Sequence, residues 1–292
     1  MIALLVEGLF HWGFSTRVIT ESAGAQYYLF PPPSTLIGAL TYGISILKDL
    51  PECELIQGKK GSNRTISGAM RLQNIVKWAT FALSDELSIG GHATAVGYAD
   101  FMRSFRLIYQ RGVRHTWDQQ DMWYGVSSHG KVYACGSGFK ILYLIDERNL
   151  ANLSIDREDL VRAAYSIVRL GAKEGLVSIV RVDRSDSWRV VDPRELERLE
   201  IEYYFPSELA EVDDTTADRI SLPLLNTKLW EFRPREPPAL HDHVEYFVPR
   251  RLAFIARAGR IRVNKNKVRG VVIDVRFGQR REILIAPNEV LR

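Results

Sequence analysis

The chain has 292 residues, of which 46% are hydrophobic and 25% are charged, and its formal net charge is +4. This composition is typical of a soluble protein with one large domain or two smaller ones, and no apolar run reaches the roughly 18 residues of a membrane helix. The two cysteines, Cys53 and Cys135, lie far apart without a C-x-x-C pattern, which argues against a disulfide framework or a zinc cage and favours the cytoplasm.

Charge is unevenly distributed along the chain. The net charge is +4 over 61–140, −8 over 141–247 and +9 over 248–292, and arginines outnumber lysines by 29 to 10. Two basic regions that are rich in arginine are expected of a nucleic-acid binder, because the guanidinium group binds phosphate and stacks on bases. A generally arginine-rich background is the alternative explanation.

The first elements are predicted to be a strand over 2–12, a loop over 13–33 and a helix over 35–48. The prolines of "FPPPSTLIGALTYG" form a stiff extended rod, and Ser34 or Thr35 can cap the helix that follows. Small residues at Gly38, Ala39 and Gly43 predict the close approach of another backbone. Residues 67–83 mix apolar and basic residues and are predicted to be helical.

The middle of the chain continues with an insert and a second helix. The insert spans about 90–130 and lacks a clean period, and one strand or a strand pair over 131–146 follows it. Asp156 can cap a helix that ends at Gly171, and 175–183 is a strand rich in β-branched residues. This order predicts an α+β fold built on a β-α-β-β-α-β, ferredoxin-like unit with a long insertion.

The remaining third differs in kind from the rest. Residues 184–247 are acidic and have few periodic runs, whereas 260–287 predict three short strands with turns at "NKNK" and "FGQRR", a basic β meander. We therefore predict two domains, 1–183 with its insertion and 184–292 as a smaller, β-rich region.

Common cofactor and metal motifs are missing from the sequence. It has neither a dinucleotide-binding G-x-G-x-x-G nor a phosphate-binding P-loop. His241 and His243 form a weak metal pair without a third ligand, and a solvated loop is the simpler interpretation. We expect no cofactor, no metal, no small-molecule substrate and no membrane partner.

The strongest chemical pattern lies in 97–124, where cations alternate with flat rings. Cations that neutralise phosphates beside rings that stack bases are typical of single-stranded RNA recognition. The predicted RNA-binding residues here are Arg103, Arg106, Arg111, Arg114, His115 and Trp117. The alternative is a half-buried insert whose rings pack on the core and whose arginines face water.

Two further segments are candidates for phosphate contact. In "RLGAKEGLVS" two glycines flank Lys173, so the lysine and the backbone amides of the loop can approach a phosphate together. The basic meander over 260–287 is the other. A merely solvated surface is the alternative for both.

The segments "HWGFS", "FPPPSTLIGALTYG" and "RLGAKEGLVS" resemble the Cas-five family of CRISPR-associated proteins, in particular its type I-A (archaeal) branch, over about residues 1–183. The resemblance implies an RRM-like (ferredoxin-like) RAMP fold with an inserted β-hairpin thumb and a variable C-terminal region. It implies a non-catalytic subunit of the Cascade surveillance complex in antiviral defence, which holds the 5′ handle of the CRISPR RNA beside the backbone and large subunits. By this resemblance Arg17 lies where handle contacts are expected, the insert would be the thumb, and Lys173, a predicted RNA-binding residue, would lie on the glycine-bounded loop.

Two other functions stay open from the sequence. One branch of this family is a metal-independent endoribonuclease that cuts the CRISPR repeat, which requires a general acid and base near a 2′-hydroxyl. His115, Tyr124, His129 and Lys131 are the candidates for those roles, although the type I-A resemblance implies a separate cutting enzyme. A scaffold that contacts mostly protein through its basic tail is the third possibility.

Overall fold

The computed structural model describes residues 1–16, 27–57, 63–72, 75–105, 124–172, 175–223, 231–232 and 243–292. These residues contain two α-helices, α1 (Pro33–Leu47) and α2 (Arg157–Tyr165). The strands in the first part are β1 (Ile2–Phe10), β2 (Gly13–Phe14), β3 (Cys53–Gln57), β4 (Asn63–Ser67), β5 (Val76–Ser84), β6 (Thr94–Phe105), β7 (Tyr124–Tyr133), β8 (Gly138–Ile145) and β9 (Val177–Ser185). The later strands are β10 (Trp188–Val191), β11 (Glu200–Ile201), β12 (Phe205–Pro206), β13 (Ala210–Val212), β14 (Ala217–Pro223), β15 (Glu231–Phe232), β16 (His243–Pro249), β17 (Ile255–Arg257), β18 (Ile261–Val268), β19 (Val271–Phe277) and β20 (Arg280–Ala286).

A four-stranded antiparallel sheet in the order β5-β8-β1-β9 forms the centre of the molecule. β1 pairs with β8 from Ile2↔Ile145 to Leu9↔Gly138, and with β9 along its other edge. Both inner strands are long apolar runs because each is covered on both faces. With α1 between β1 and β5 and α2 between β8 and β9, the fold is α+β as predicted, but β5 is a strand between the first helix and the insert that the predicted order lacks.

The two helices pack together on one face of this sheet. The Tyr143 hydroxyl, from β8, donates to the carbonyl of Leu36 in α1 at 2.8 Å. A Cβ added at Gly43 would lie 2.2 Å from the carbonyl oxygen of Ala163 in α2. The predicted close approach of another backbone is therefore found at Gly43, and the neighbour is α2. Gly38 has no heavy atom within 4 Å of an added Cβ.

Helix α1 starts earlier than the sequence pattern predicts. Pro32 is its N-cap and Pro33 its first residue, and no side chain caps it. The predicted cap at Ser34 or Thr35 is therefore wrong. Proline is well suited to the first helical position because its fixed φ is helical and its missing N–H has no intrahelical partner there.

Helix α2 begins as predicted, at Asp156. The Asp156 and Asp159 side chains form a reciprocal capping box, and Lys48 from the end of α1 forms an ion pair with Asp159 at 2.5 Å. The hydrogen bond from Lys48, with that from the backbone N–H of Asp156, lowers the pKa of the Asp159 carboxyl. The helix ends at Tyr165, before the predicted stop at Gly171.

The segment predicted to be helical over 67–83 is mostly a strand. A short 3-10 helix over Gly68–Leu72 precedes β5, which forms an edge of the central sheet. Nearly every residue of β5 is buried, so its apolar positions follow neither a helical nor a strictly alternating period. Burial on both faces explains the wrong prediction.

The insert contains a long β-hairpin. β6 and β7 pair in register from Val96↔Tyr133 to Phe105↔Tyr124, and residues 106–123 between them lie outside the described part of the chain. At its base the hairpin is flanked on both edges, because β17 pairs with β6 and β2 pairs with β7. The inserted hairpin thus belongs to a second sheet, in the order β17-β6-β7-β2.

The C-terminal region has more regular structure than its sequence pattern indicates. Strands β10 to β16 lie in the stretch predicted to have few periodic runs. The basic meander is only partly correct: β19 and β20 form a hairpin that turns at Gly278, but β18 pairs with β11 and β13. The predicted "NKNK" turn lies inside β18. These short strands find distant partners, and local periodicity carries no information about them.

The C-terminal region covers the face of the central sheet opposite the helices. The Thr80 hydroxyl donates to the carbonyl of Tyr204 at 2.7 Å, and Lys140 forms an ion pair with Glu202 at 2.8 Å. Arg280 donates to Glu7, which is only 2% exposed, at 2.6 Å. One hydrophobic core includes residues from both predicted domains, and the boundary near residue 183 stays a prediction.

None of the helices described is long and apolar enough to cross a bilayer. Cys53 and Cys135 are both free thiols and exposed.

Candidate nucleic-acid interface

Ser15 brings three predicted RNA-contacting segments together. It follows β2, and its hydroxyl donates to the carbonyl of Gly130 at the base of the hairpin at 2.9 Å. Its own carbonyl accepts from the N–H of Ala172, in the glycine-bounded loop, at 2.8 Å. We call Ser15, Gly130, Gly171 and Ala172 the Ser15 junction. Three segments therefore meet at this junction: the loop that leads to Arg17, the base of the hairpin, and the loop that leads to Lys173.

The glycine-bounded loop depends on both of its glycines. Gly171 has φ of +80°, and an added Cβ would lie 2.5 Å from the Ser15 carbonyl oxygen. At Gly175 an added Cβ would lie 2.1 Å from the carbonyl oxygen of Leu170, whose N–H donates to Gly175 at 2.8 Å. A side chain at either position would push the loop away from its partners.

One side of the hairpin base carries three aromatic rings and a lysine. Trp12 and Tyr133 have centroids 6.1 Å apart, and Tyr98 and Tyr133 have centroids 6.3 Å apart. The Lys131 ammonium lies 5.6 Å from the Trp12 centroid. We call these four residues the aromatic face. Tyr98 is 55% exposed, so its ring is accessible for stacking with a base.

A cavity of about 300 Å³ lies between α1 and the glycine-bounded loop. The small residues Gly38 and Ala39 line it on the helix side, and Arg169 and Gly171 line it on the loop side. Arg169 lies over the ring of Tyr42 at 5.4 Å. The small face of α1 thus has two functions: Gly43 contacts α2, and Gly38 leaves space beside the loop.

Thr16 adds a polar group next to Gly171, one of the residues that line this cavity. Its hydroxyl is buried, and it has no hydrogen-bond partner among the described residues. It lies 2.9 Å from the position that a Cβ on Gly171 would take. A buried hydroxyl without a partner is unusual in a folded protein.

Most of the predicted RNA-binding residues lie outside the part of the chain that the structure describes. Arg17 follows Thr16 directly, and Lys173 follows Ala172 directly. The other predicted residues that lie outside are Arg106, Arg111, Arg114, His115 and Trp117. Arg103 lies in β6, where its backbone pairs with Val126. Contact between any of these residues and RNA stays a prediction.

The register of the hairpin distributes the three described candidates for cleavage over the two faces of β7. His129 pairs with Asp100 and Lys131 pairs with Tyr98, so these two positions lie on one face of β7. Tyr124 pairs with Phe105, five residues further along the strand, and strand alternation puts its position on the opposite face. His115 lies outside the described residues.

Metal-ligating side chains do not cluster in the described ranges, where no group of three histidine, cysteine or carboxylate side chains could hold an ion. His243 instead lies 2.7 Å from the hydroxyl of Tyr28, with Nε2 as the ring atom in contact. His241 lies outside these ranges.

Sequence reasoning did not identify Ser15, Trp12, Tyr133 or Arg169 as site residues. For Trp12 and Ser15 the sequence signal is weak, because it consists of the single glycine that lies between them. Gly13, between Trp12 and Ser15, has φ of +144°, and an added Cβ would lie 1.8 Å from the carbonyl oxygen of Val132. Only Gly fits where β2 meets the hairpin this closely, and "HWGFS" contains that glycine.

Solved structures identify the fold. The chain is similar to the crystal structure of a CRISPR protein from Archaeoglobus fulgidus, with a TM-score of 0.53 and 16% sequence identity over 98% of this chain and 100% of the other. At this identity the likeness concerns the fold alone. No protein-family model matches the chain.

Curated relatives from Saccharolobus solfataricus are similar in sequence. The chain is 28% identical to CRISPR-associated protein Cas5 2 over 277 residues, which cover 94% of this chain and 92% of that protein, so the similarity extends well beyond residue 183. It is 31% identical to CRISPR-associated protein Cas5 3 over 195 residues and 32% identical to CRISPR system aCascade subunit Cas5 1 over 196 residues. Both alignments cover 67% of this chain and 68% of the relative. The chain therefore belongs to the Cas5 (Cas-five) family of CRISPR-associated proteins.

Proposed function

We propose that this protein is a non-catalytic, RNA-binding subunit of a cytoplasmic type I-A Cascade complex in antiviral defence. In this proposal it holds the 5′ handle of the CRISPR RNA and contacts the backbone and large subunits. One of its relatives is itself named a subunit of aCascade, and the arrangement of the Ser15 junction supports the RNA-binding part of the proposal.

The Ser15 junction is the observation that carries the proposal. It fixes the starting points of the segments that contain Arg17, the thumb arginines and Lys173. Beside it, the aromatic face offers exposed ring surface for bases. A single strand that passes the junction would find cations for its phosphates and rings for its bases, which is the combination that single-stranded RNA binding requires.

We propose an RRM-like RAMP fold in which RNA does not use the usual sheet platform. The strand order of the central sheet is that of a β-α-β-β-α-β unit, which supports the RRM-like assignment. An RRM stacks bases on the open face of its sheet. In this protein the corresponding face is occupied by Tyr204, Glu202 and Arg280, so the hairpin and the junction are the surfaces left for RNA.

The absence of catalysis is part of the proposal. Cleavage beside a 2′-hydroxyl needs an acid and a base on either side of one phosphate. The backbone register separates Tyr124 from His129 and Lys131 and gives no support to a cleavage site built from all three.

The test is a salt-titrated binding assay of the full chain with repeat-derived RNA whose 5′ handle is intact or scrambled, followed by a denaturing gel. We expect the intact handle to bind more tightly and the RNA to stay uncut. Replacing Arg111 and Arg114 together by Ala should lower the slope of log K against log salt by about 1.4, because each lost phosphate contact on a single strand removes about 0.7. Arg162→Ala, at a position on α2 that is 69% exposed, is the matched control.

Three results would contradict this proposal in different ways. Equal binding of both RNAs would exclude handle recognition by the isolated chain. Unchanged affinity in the double variant would favour the scaffold function. Shortened RNA in the presence of a chelator would establish the endoribonuclease, provided that the His115→Ala or the His129→Ala variant leaves the RNA intact.

A further inference from the structure

Three arginines surround one aspartate on a face of the C-terminal sheet β10-β19-β20. The register pairs Arg189 of β10 with Asp274 of β19, and Arg276 of β19 with Arg281 of β20. Because directly paired residues and residues two apart share a face, all four lie on the same side of this sheet. We call them the arginine face.

Asp274 holds two of the guanidinium groups in place. It is only 1% exposed, and its two carboxylate oxygens accept from Arg281 at 2.8 Å and from Arg189 at 3.1 Å. Burial alone would raise the pKa of Asp274, but the hydrogen bonds from Arg281 and Arg189 outweigh it and lower the pKa. The carboxylate is therefore ionised at neutral pH and fixes both arginines at the surface, where their other N–H groups remain available.

Arg276 is the unneutralised member of the arginine face. It is exposed, and no carboxylate of the described residues lies within ion-pair distance of it. Its backbone is held by the carbonyl of Ser187 at 2.9 Å and by the Ser185 hydroxyl. Like charges directly opposite each other destabilise a sheet, and Arg276 is directly opposite Arg281. The three arginines and one aspartate leave two positive charges in excess.

A cavity of about 240 Å³ opens beside this cluster. Arg189, Asp274 and Arg276 line it together with Ser187 and Trp188. The Trp188 side chain is fixed because its Nε1–H donates to the carbonyl of Met1 at 2.9 Å. The cavity is thus a concave surface that has two of the three arginines of the arginine face in its lining.

We propose that the arginine face binds the phosphodiester backbone of a nucleic acid strand, as a contact on a different sheet from the hairpin. A phosphate offers two non-bridging oxygens to adjacent guanidinium groups, and it relieves the repulsion between Arg276 and Arg281. The excess positive charge and the adjacent guanidinium groups of the arginine face favour a phosphate as the ligand. That the phosphate belongs to a nucleic acid rests on the proposed function. The guanidinium groups recognise the charge of the phosphodiester backbone, which is the same in every sequence, so we expect binding here to be independent of base sequence.

The experiment compares the full-length chain with Arg276→Ala on two probes, a repeat-derived single-stranded RNA and a DNA duplex. Arg276→Ala should weaken binding of the contacted strand about tenfold, as expected for one lost hydrogen-bonded charge contact. The slope of log K against log salt should fall by about 0.7 if that strand is the single-stranded RNA and by about 0.9 if it is the duplex. Arg276→Lys should recover part of the affinity, because it restores the charge without the bidentate fork.

Arg162→Ala is the control for exposed charge, and urea denaturation of Arg276→Ala checks that the sheet stays folded. Unchanged affinity and slope for both probes would overturn the assignment, including the case in which an acidic protein segment is the true ligand. If Arg276→Ala is silent while the Arg111 and Arg114 variant loses the handle, only the arginine face is disproved. If the intact and scrambled handles bind equally while Arg276→Ala still weakens binding, only handle recognition is disproved.

Discussion

Gly171 is the residue on which the Ser15 junction depends most directly. Its φ of +80° lies in the left-handed region that β-carbon-bearing residues avoid, and the space for a Cβ is taken by the Ser15 carbonyl. Backbone conformation and crowding therefore require glycine for separate reasons. The same carbonyl accepts the hydrogen bond from Ala172, so any shift at 171 weakens the bond that holds the loop.

We predict that Gly171→Ala destabilises the protein by about 2–4 kcal/mol, the sum of a left-handed alanine and a displaced backbone contact. It should also weaken handle binding, because Lys173 would no longer start from the junction. Urea denaturation and the RNA titration measure the two effects.

Gly278→Ala is the matched control. Gly278 also has a positive φ, +61°, but no atom lies within 4 Å of an added Cβ. This variant should lose about 1–2 kcal/mol and keep its RNA affinity. Equal loss of RNA affinity in both variants would show that the junction has no special part in binding.

Helix α1 is the element whose two glycines are in opposite surroundings. Gly43 lies against the backbone of α2 at Ala163, whereas Gly38 opens to the cavity beside the glycine-bounded loop. Both positions are in the helix interior, so the intrinsic cost of glycine relative to alanine is the same at both. The difference between the two substitutions therefore measures the packing of α1 on α2.

We predict that Gly38→Ala stabilises the protein by about 0.5–1 kcal/mol, because alanine is the better helix former and the added methyl meets nothing. Gly43→Ala should destabilise it by about 1–3 kcal/mol, because the methyl would force the helices apart. Denaturant midpoints compared at constant m-value give both numbers. A stabilising Gly43→Ala would mean that α1 and α2 do not pack at this point.

The elements also show how far the sequence predicts the structure. Helix α2 was predicted from its own first turn, since Asp156, Glu158 and Asp159 are local signals that need no distant partner. β5 was predicted to be helical because a strand buried on both faces loses its alternation. The site was predicted only in its parts: 115 residues separate Ser15 from Gly130, and no local pattern records that contact.

At the scale of the whole molecule, the C-terminal region is fastened to the central sheet by buried charges. Arg280 bridges Glu7 and Glu282, and Lys140 lies between Glu282 and Glu202. Glu7, Lys140 and Glu282 are each 5% exposed or less. Removing one member of such a network is strongly destabilising, because it leaves another charge without compensation in a medium of low dielectric constant.

We predict that Arg280→Met destabilises the protein by about 3–5 kcal/mol, since it leaves Glu7 buried and unpaired. Adding Glu7→Gln to this variant should recover part of the loss, because the orphaned charge is then gone. Chemical denaturation of the three proteins measures the coupling between the two positions.

Arg219→Met serves as the control for this prediction. Arg219 and its partner Glu245 are both more than half exposed, so this change should cost at most about 1 kcal/mol. Comparable losses of stability in Arg219→Met and Arg280→Met would contradict the interpretation that burial makes the inner ion pairs more important for stability than exposed ones.

The flanked base of the hairpin has a consequence for the order in which the protein is made. β6 and β7 are neighbours along the chain and can pair as soon as both have been synthesised. β17, which covers the outer edge of β6 at its first three residues, follows some 120 residues later. A nascent chain that ends before Ile255 therefore carries a long hairpin with one edge open, and an open edge invites pairing with other chains. The base of the hairpin is therefore fully paired only when translation is nearly complete, and we expect incomplete chains to aggregate more readily than the finished protein.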